Sequence, residues 1–177
     1  MKARSRVMLL SIVALLLSTV SLAQTQKAAA KEGVLTAAEV GGKLFPDKVF
    51  FRGQVALVQA RNSGGVRFAD EMLVMAALVD SSGYASGIKE KYQGYLITEV
   101  PVDVNGQTLK PGAYGFGFIG DDKFVVMDLG ANDVFQVGSK KDADLKHPVP
   151  LQLAAGASAG GYRLYKGRDY VEIHRAK

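Results

Sequence analysis

Residues 95–129 read YLITEVPVDVNGQTLKPGAYGFGFIGDDKFVVMDL, and this stretch decides the fold class. From Tyr95 to Val104 apolar and polar residues alternate, the period of a strand with one buried face. Asn105-Gly106 follows, the pair that takes up the positive φ angles of a two-residue hairpin most readily. Lys110-Pro111-Gly112 makes a second turn, and Gly120-Asp121-Asp122 a third between strand patterns at 113–119 and 124–129.

The same grammar extends in both directions. Towards the C-terminus, strand patterns fall at 134–137, 149–155, 162–166 and 170–174, the last two joined around Gly167. Towards the N-terminus stand VFFRGQVALVQA (49–60), VRFA (66–69) and MLVMAALV (72–79). The turn-rich Asn62-Ser63-Gly64-Gly65 and Ala69-Asp70-Glu71 separate them. Helix is scarce. Thr36 with Glu39 has capping-box spacing, and Gly41-Gly42 ends that helix within a turn or two, as a plug at one end of the β structure. A second short helix is expected at SGIKEKY (86–92), with Ser86 as N-cap. Roughly ten short strands with so little helix predict an all-β fold. The expected form is a single antiparallel β-sandwich, the alternative a small closed β-barrel.

The first 23 residues carry Lys2, Arg4 and Arg6, an apolar run over 7–17 and small residues to Ala23, the layout of a cleavable signal peptide. The run of about 11 apolar residues would span only about 16 Å as a helix, half the hydrocarbon thickness. The expectation is cleavage after Ala23 and export to the periplasm or medium, with no stable membrane insertion afterwards. Residues 24–33 (QTQKAAAKEG) read as a tether and 34–177 as the sandwich domain. With no cysteine, the chain has no disulfide, thiolate metal site, cysteine nucleophile or lipidated cysteine.

Formal charge is +5, from 22 basic and 17 acidic residues, but three of the bases precede residue 24, leaving 19 against 17. The densest basic stretch, Arg163, Lys166, Arg168, Arg175 and Lys177, is diluted by Asp169 and Glu172, so no nucleic-acid face is expected. An outer-membrane barrel is not expected either, because most strand patterns fall short of the ten alternating residues such barrels need. The absence of Trp weakens a carbohydrate platform, although Tyr can serve.

Several motifs imitate chemistry. Gly115, Gly117 and Gly120 match G-x-G-x-x-G, yet they lie inside an alternating strand pattern rather than between a strand and a helix. In that strand Tyr114, Phe116 and Phe118 share one face, and the glycines leave the other open to a packed helix, a second sheet or a ligand. Gly156-Ala157-Ser158-Ala159-Gly160 matches G-x-S-x-G, with Asp169 and His174 following in triad order, but a hairpin pattern stands where a nucleophile elbow needs a helix. Those three side chains are expected not to converge. Asp142, Asp144 and His147 could ligate a cation, against the local charge of Lys140, Lys141 and Lys146. Asp121 and Asp122 read as a solvated hairpin tip. Arg52, Arg61 and Arg67 could form part of an anion site around a hairpin turning at 62–65, where the odd spacing of Arg52 and Arg61 puts them on opposite faces.

The segment from Val104 to Tyr114, VNGQTLKPGAY, resembles the pattern v-N-G-x-x-L-x-x-G-x-Y of an exported bacterial β-sandwich domain family of unknown function. It also resembles the L-x-P-G-x-Y turn of prealbumin-like sandwich domains. Both resemblances imply a β-sandwich, cover residues 99–127 at most, and bring no catalytic residue onto this chain. The physical content is a sandwich corner: Asn-Gly turns the hairpin, Pro-Gly the next connection, and Tyr114 packs its ring while its hydroxyl finds a backbone partner.

The functional expectation is an exported, non-catalytic binding or envelope-associated module. Its ligand residues would be Tyr114, Phe116, Phe118, Arg52 and Arg67, and its partner a small molecule or envelope component. No cofactor, catalytic residue or metal is expected. The alternatives are a lipocalin-like carrier of an apolar molecule and a small secreted hydrolase using Ser158.

Overall fold

The computed structural model describes residues 31–176; the expected signal peptide and residues 24–30 of the tether lie outside them. In chain order the elements are β1 (Gly33–Leu35), α1 (Ala37–Val40), β2 (Lys48–Phe51), β3 (Gln54–Arg67), β4 (Leu73–Val79), α2 (Ser86–Lys89), β5 (Gly94–Thr98), β6 (Val102–Val104) and β7 (Gln107–Leu109). There follow β8 (Gly112–Ile119), β9 (Lys123–Met127), β10 (Asp133–Gly138), β11 (Lys140–Lys141), β12 (Gln152–Ala155), β13 (Gly161–Lys166) and β14 (Asp169–Arg175).

Two antiparallel sheets stack as the expected sandwich. The larger runs β1-β3-β4-β5-β8-β9-β10 with β2 added to β3, and the smaller runs β12-β13-β14-β6-β7 with β11 added to β14. The barrel alternative is corrected, because the sheets do not close on each other. Between them lies one core, built from alternate residues of both: Val74, Leu96, Phe116, Phe124 and Val126 from the larger, Val102, Leu164, Val171 and Ile173 from the smaller.

Residues 95–104 do not form one strand. β5 ends at Thr98, and the chain crosses to the other sheet through Glu99-Val100-Pro101 before β6 begins. Proline has no N–H to give a ladder, so a strand interior cannot contain it cheaply. Asn105-Gly106 makes the expected turn at φ +46° and +89°, pairing Val104 with Gln107. Tyr114 completes the corner: its hydroxyl donates to the Lys110 carbonyl at 3.0 Å, and its ring packs on the inter-sheet core.

The larger sheet is covered on its outer face too. There a second core holds Val40, Phe45, Val49, Phe51, Met75, Ala77, Tyr84, Tyr92 and Tyr95. α1, α2 and the β2–β3 hairpin supply this cover, so α1 lies over the sheet face and not at its end. The glycine face of β8 is filled in the same way. A Cβ at Gly115 would stand 2.5 Å from the Phe51 ring, and one at Gly117 would collide with the Lys91 carbonyl. A dinucleotide site is thereby replaced by close packing. The N-cap of α2 is Ala85, one residue before the expected Ser86.

The largest correction concerns 49–67. The turn at Asn62 to Gly65 does not exist, and those residues lie inside the 14-residue β3. The hairpin turns instead at Arg52-Gly53, with φ +48° and +76° and with Phe51 paired to Gln54. Between Val58 and Ser63 the register with β4 shifts in a bulge. The bulge is held by Asn62 Nδ2 donating to Gln59 Oε1 at 2.8 Å and by Ser63 Oγ donating to the Ala60 carbonyl at 2.7 Å. Gly64 is needed there because β12 approaches: a Cβ would lie 3.2 Å from the Leu153 nitrogen. β1 begins at Gly33, opposite Arg67, one residue before the expected start of the sandwich domain.

Candidate functional site

The smaller sheet is amphipathic along its central strand. In β14 Val171 and Ile173 point into the core, so Tyr170, Glu172 and His174 face outward. The register then sets the neighbours. His174 pairs with Asp103 of β6 on one side and Gly161 of β13 on the other, Glu172 pairs with Arg163, and Tyr170 pairs with Tyr165.

At one end of this face the segment after β10 lies over the rings. Arg163 sits 4.4 Å above the Tyr170 ring and donates to Tyr165 Oη at 3.3 Å. It stands 3.7 Å from Asp142 and 3.6 Å from Glu172, while its Nε is buried without a partner. Tyr165 donates to Asp142 at 2.9 Å, and burial pushes its phenol above the usual tyrosine range. Asp142, a candidate metal ligand, is thus occupied by a phenol and a guanidinium. Among the described residues no three acidic or imidazole side chains meet to hold a metal.

At the other end the face opens into a groove of about 460 Å³ lined by Asp103, Asn105, Gly138, Lys140, Glu172 and His174. Asn105 builds its floor by tying three segments together. Its side chain donates to the Gly138 carbonyl at 2.6 Å and accepts the Glu172 N–H at 2.8 Å, and its own N–H reaches the Glu172 carbonyl at 3.1 Å. Asp103 accepts the Gly106 N–H at 2.8 Å, and Lys140 Nζ stands 3.8 Å from Glu172. The His174 imidazole has no hydrogen-bond partner among the described residues. Donors and acceptors of both signs therefore face an open concavity on a rigid sheet.

Ser158, Asp169 and His174 do not converge into a triad. Asp169 begins β14, paired with Lys166 and 3.6 Å from Lys141, five residues from His174 on the strand. Ser158 and His174 do come together over Gly161, whose Cβ would lie 2.5 Å from both Ser158 Oγ and His174 Cε1. The acid flanking His174 is Asp103, but no hydrogen bond links any two of these three side chains among the described residues.

The five expected ligand residues fall elsewhere. Phe116 and Phe118 are 0 % and 8 % exposed and pack on Phe124, with ring centroids 5.6 and 4.8 Å away, so they fill the sandwich instead of lining a groove. Tyr114 is half-buried at the corner described above. Arg52 sits in the turn before β3 and Arg67 at the far end of that strand, so they do not converge. Arg67 lines a separate concavity with the acids Glu32 and Glu39. Glu39 is held below the usual carboxylate range, first by the Thr36 N–H it accepts at 2.8 Å and more weakly by Arg67.

Sequence reasoning passed over Asp103, Asn105, Glu172 and Lys140 as ligand residues. A signal was present for two of them: V-D-V at 102–104 and V-E-I-H at 171–174 place single polar residues between inward apolar ones. No protein-family model, curated protein or solved structure matches this chain.

Proposed function

We propose that the mature protein is an exported, non-catalytic binding module that takes a small polar ligand, hydroxyl-rich or zwitterionic, in the groove between the β6–β7 turn and β14. One observation carries this reading. Lys140 and His174 offer N–H donors, Glu172 and Asp103 offer carboxylate acceptors, and all four line one open concavity. Both other large faces are occupied by protein: the inter-sheet space by packed rings, the outer face of the larger sheet by the second core. A polar ligand gains charge-assisted hydrogen bonds in such a site, which are roughly twice as strong as neutral ones. The signal-peptide pattern supports export.

The test is native mass spectrometry of the chain purified from the exporting cell, before and after denaturation, beside the variants His174→Ala and Glu172→Gln. A non-covalent polar adduct that vanishes on denaturation and is lost in both variants is expected. A bare polypeptide in all three samples, with His174 ring resonances unmoved by a soluble envelope extract, would refute the reading.

The meeting of Ser158 and His174 over Gly161 favours a second reading, a small secreted hydrolase with Asp103 in place of Asp169. It requires His174 to accept from Ser158 and donate to Asp103, neither of which it does in this state.

A further inference from the structure

The bulge in β3 builds a second concave region. Residues 59–62 stand against Leu78 alone, between the pairs Val58–Val79 and Ser63–Ala77, and an insertion of this kind re-aims the side chains it carries. α1 closes on the bulge at Gly41, where a Cβ would collide with the Ala60 carbonyl. Two hollows adjoin there, with Ala37 and Arg61 lining both. One, of about 440 Å³, is walled by Ala37, Ala38, Gly41 and Ala60. The other, of about 290 Å³, has Val34 and Leu35 of β1 and Val149, Leu151 and Leu153 from the chain entering β12. Val34 and Val149 are 38 % and 40 % exposed, so two segments far apart in sequence leave apolar surface on the same hollow. Arg61 is the one charged residue in either lining among the described residues. It is exposed, and its guanidinium makes no hydrogen bond, ion pair or ring contact among them. Glu39, the acid of α1, is turned to Thr36, whose N–H and hydroxyl it accepts at 2.8 Å, and lies in the field of Arg67 and Lys43.

We propose that these hollows bind an aliphatic monocarboxylate, a fatty acid of medium chain length, with its carboxylate on Arg61 and its chain against Val34, Val149 and Leu151. Charge complementarity selects the head group. An unpaired guanidinium takes a carboxylate through two parallel N–H···O bonds, and no acid in either lining competes for it. The apolar walls select the tail, because covering them with an alkyl chain removes both surfaces from water. Concavities of this size suit a small molecule and not a folded partner. The chain's own segment 24–30, QTQKAAA, fits worse, since Lys27 is its only charge and would repel Arg61. This inference is independent of the polar groove, with which neither hollow shares a lining residue.

The experiment is isothermal titration of the exported chain with hexanoate, octanoate and decanoate, each below micelle formation, and with decyltrimethylammonium as the cation of matched chain. Affinity is expected to rise about threefold or more with each two added carbons. Decyltrimethylammonium should bind at least about tenfold more weakly than decanoate. Arg61→Gln removes the guanidinium and should weaken decanoate about tenfold. Val149→Glu, at an exposed position on the rim, sets a carboxylate beside the bound one and should weaken it as much. Circular dichroism checks that both variants fold, and either one that does carries the test. No binding of decanoate, equal binding of the two decyl compounds, or unchanged binding in a folded variant would overturn the proposal. So would a dimer in light scattering that Val149→Glu dissolves, which would assign the hollow to a second copy.

Discussion

Removing the Tyr92 hydroxyl should stabilise this protein. Tyr92 is 0 % exposed, its ring stacks on Phe51 at 3.8 Å, and its hydroxyl has no hydrogen-bond partner. An unpaired buried hydroxyl costs about 1 to 3 kcal/mol in lost hydration, and Tyr92→Phe removes that cost while leaving only an oxygen-sized gap. The net gain should be about 1 to 2 kcal/mol, which for a chain of this size raises Tm by roughly 3 to 6 °C. Tyr84→Phe is the matched control. The Tyr84 hydroxyl donates to the Phe51 carbonyl at 3.0 Å, so its removal should destabilise by about 1 kcal/mol. The two substitutions delete the same atom in one cluster and should move the urea midpoint in opposite directions. Alkaline pH gives an independent reading. Burial first, then the neighbouring Tyr84 and Tyr95, raises the folded-state pKa of Tyr92 above its ordinary value. The neutral phenol is therefore the form the fold holds. This contribution is fully present below the unfolded pKa near 10 and is lost as pH climbs above it, and Tyr92→Phe should flatten that alkaline loss. A urea midpoint lowered by Tyr92→Phe, with an unchanged alkaline slope, would refute the reasoning and mean that the hydroxyl is satisfied in solution.

Gly117→Ala should cost about 2 to 4 kcal/mol in urea unfolding, because its Cβ would press on the Lys91 carbonyl and the α2 segment must lift; a neutral result would mean that this cover is loosely attached. Asn105→Ala removes the bonds to Gly138 and Glu172 at a residue with φ +46°. It should lower stability by about 2 to 4 kcal/mol and abolish the polar adduct in native mass spectra. A fluorophosphonate probe should leave the protein unlabelled. Labelling at Ser158 that disappears in His174→Ala would replace binding with hydrolysis.

The legible part of the fold was the part written in short-range turn chemistry. Asn105-Gly106, Gly120-Asp121-Asp122 and Gly167 each turn a hairpin where the residues say so. Asn62 to Gly65 has the same composition and makes no turn, because its glycines serve long-range needs: Gly64 the approach of β12 to β3, Gly65 the close packing of Val40 and Met75. Local composition does not separate a glycine chosen for φ from one chosen for room. Arg52-Gly53 was missed for the converse reason: Arg is a poor advertisement for positive φ, and the hairpin is held there by Phe51 packing under the cover. The glycine face of β8 invites a packed element, and which element fills it depends on contacts 26 and 64 residues away in sequence, Lys91 with Gly117 and Phe51 with Gly115. In the groove, the parity of Asp103, Glu172 and His174 could be read. Their convergence could not, because it depends on β6 lying beside β14, a pairing across 70 residues.

The two sheets also explain where function can reside. β4, LVMAALV, is apolar without alternation, the pattern of a strand buried on both faces, and its residues divide between the two cores: Val74 and Ala76 in one, Met75 and Ala77 in the other. β14, DYVEIHR, alternates, and its outward residues supply the groove. Alternation thus marks which sheet keeps a free face before any contact is known. The outer half of β3 obeys the same period with inverted content, placing Val55 and Leu57 where solvent should be and Ala56 inward. The polar groove and the apolar outer face of the β2–β3 hairpin therefore lie on different sheets, so that a ligand held in the one leaves the other uncovered.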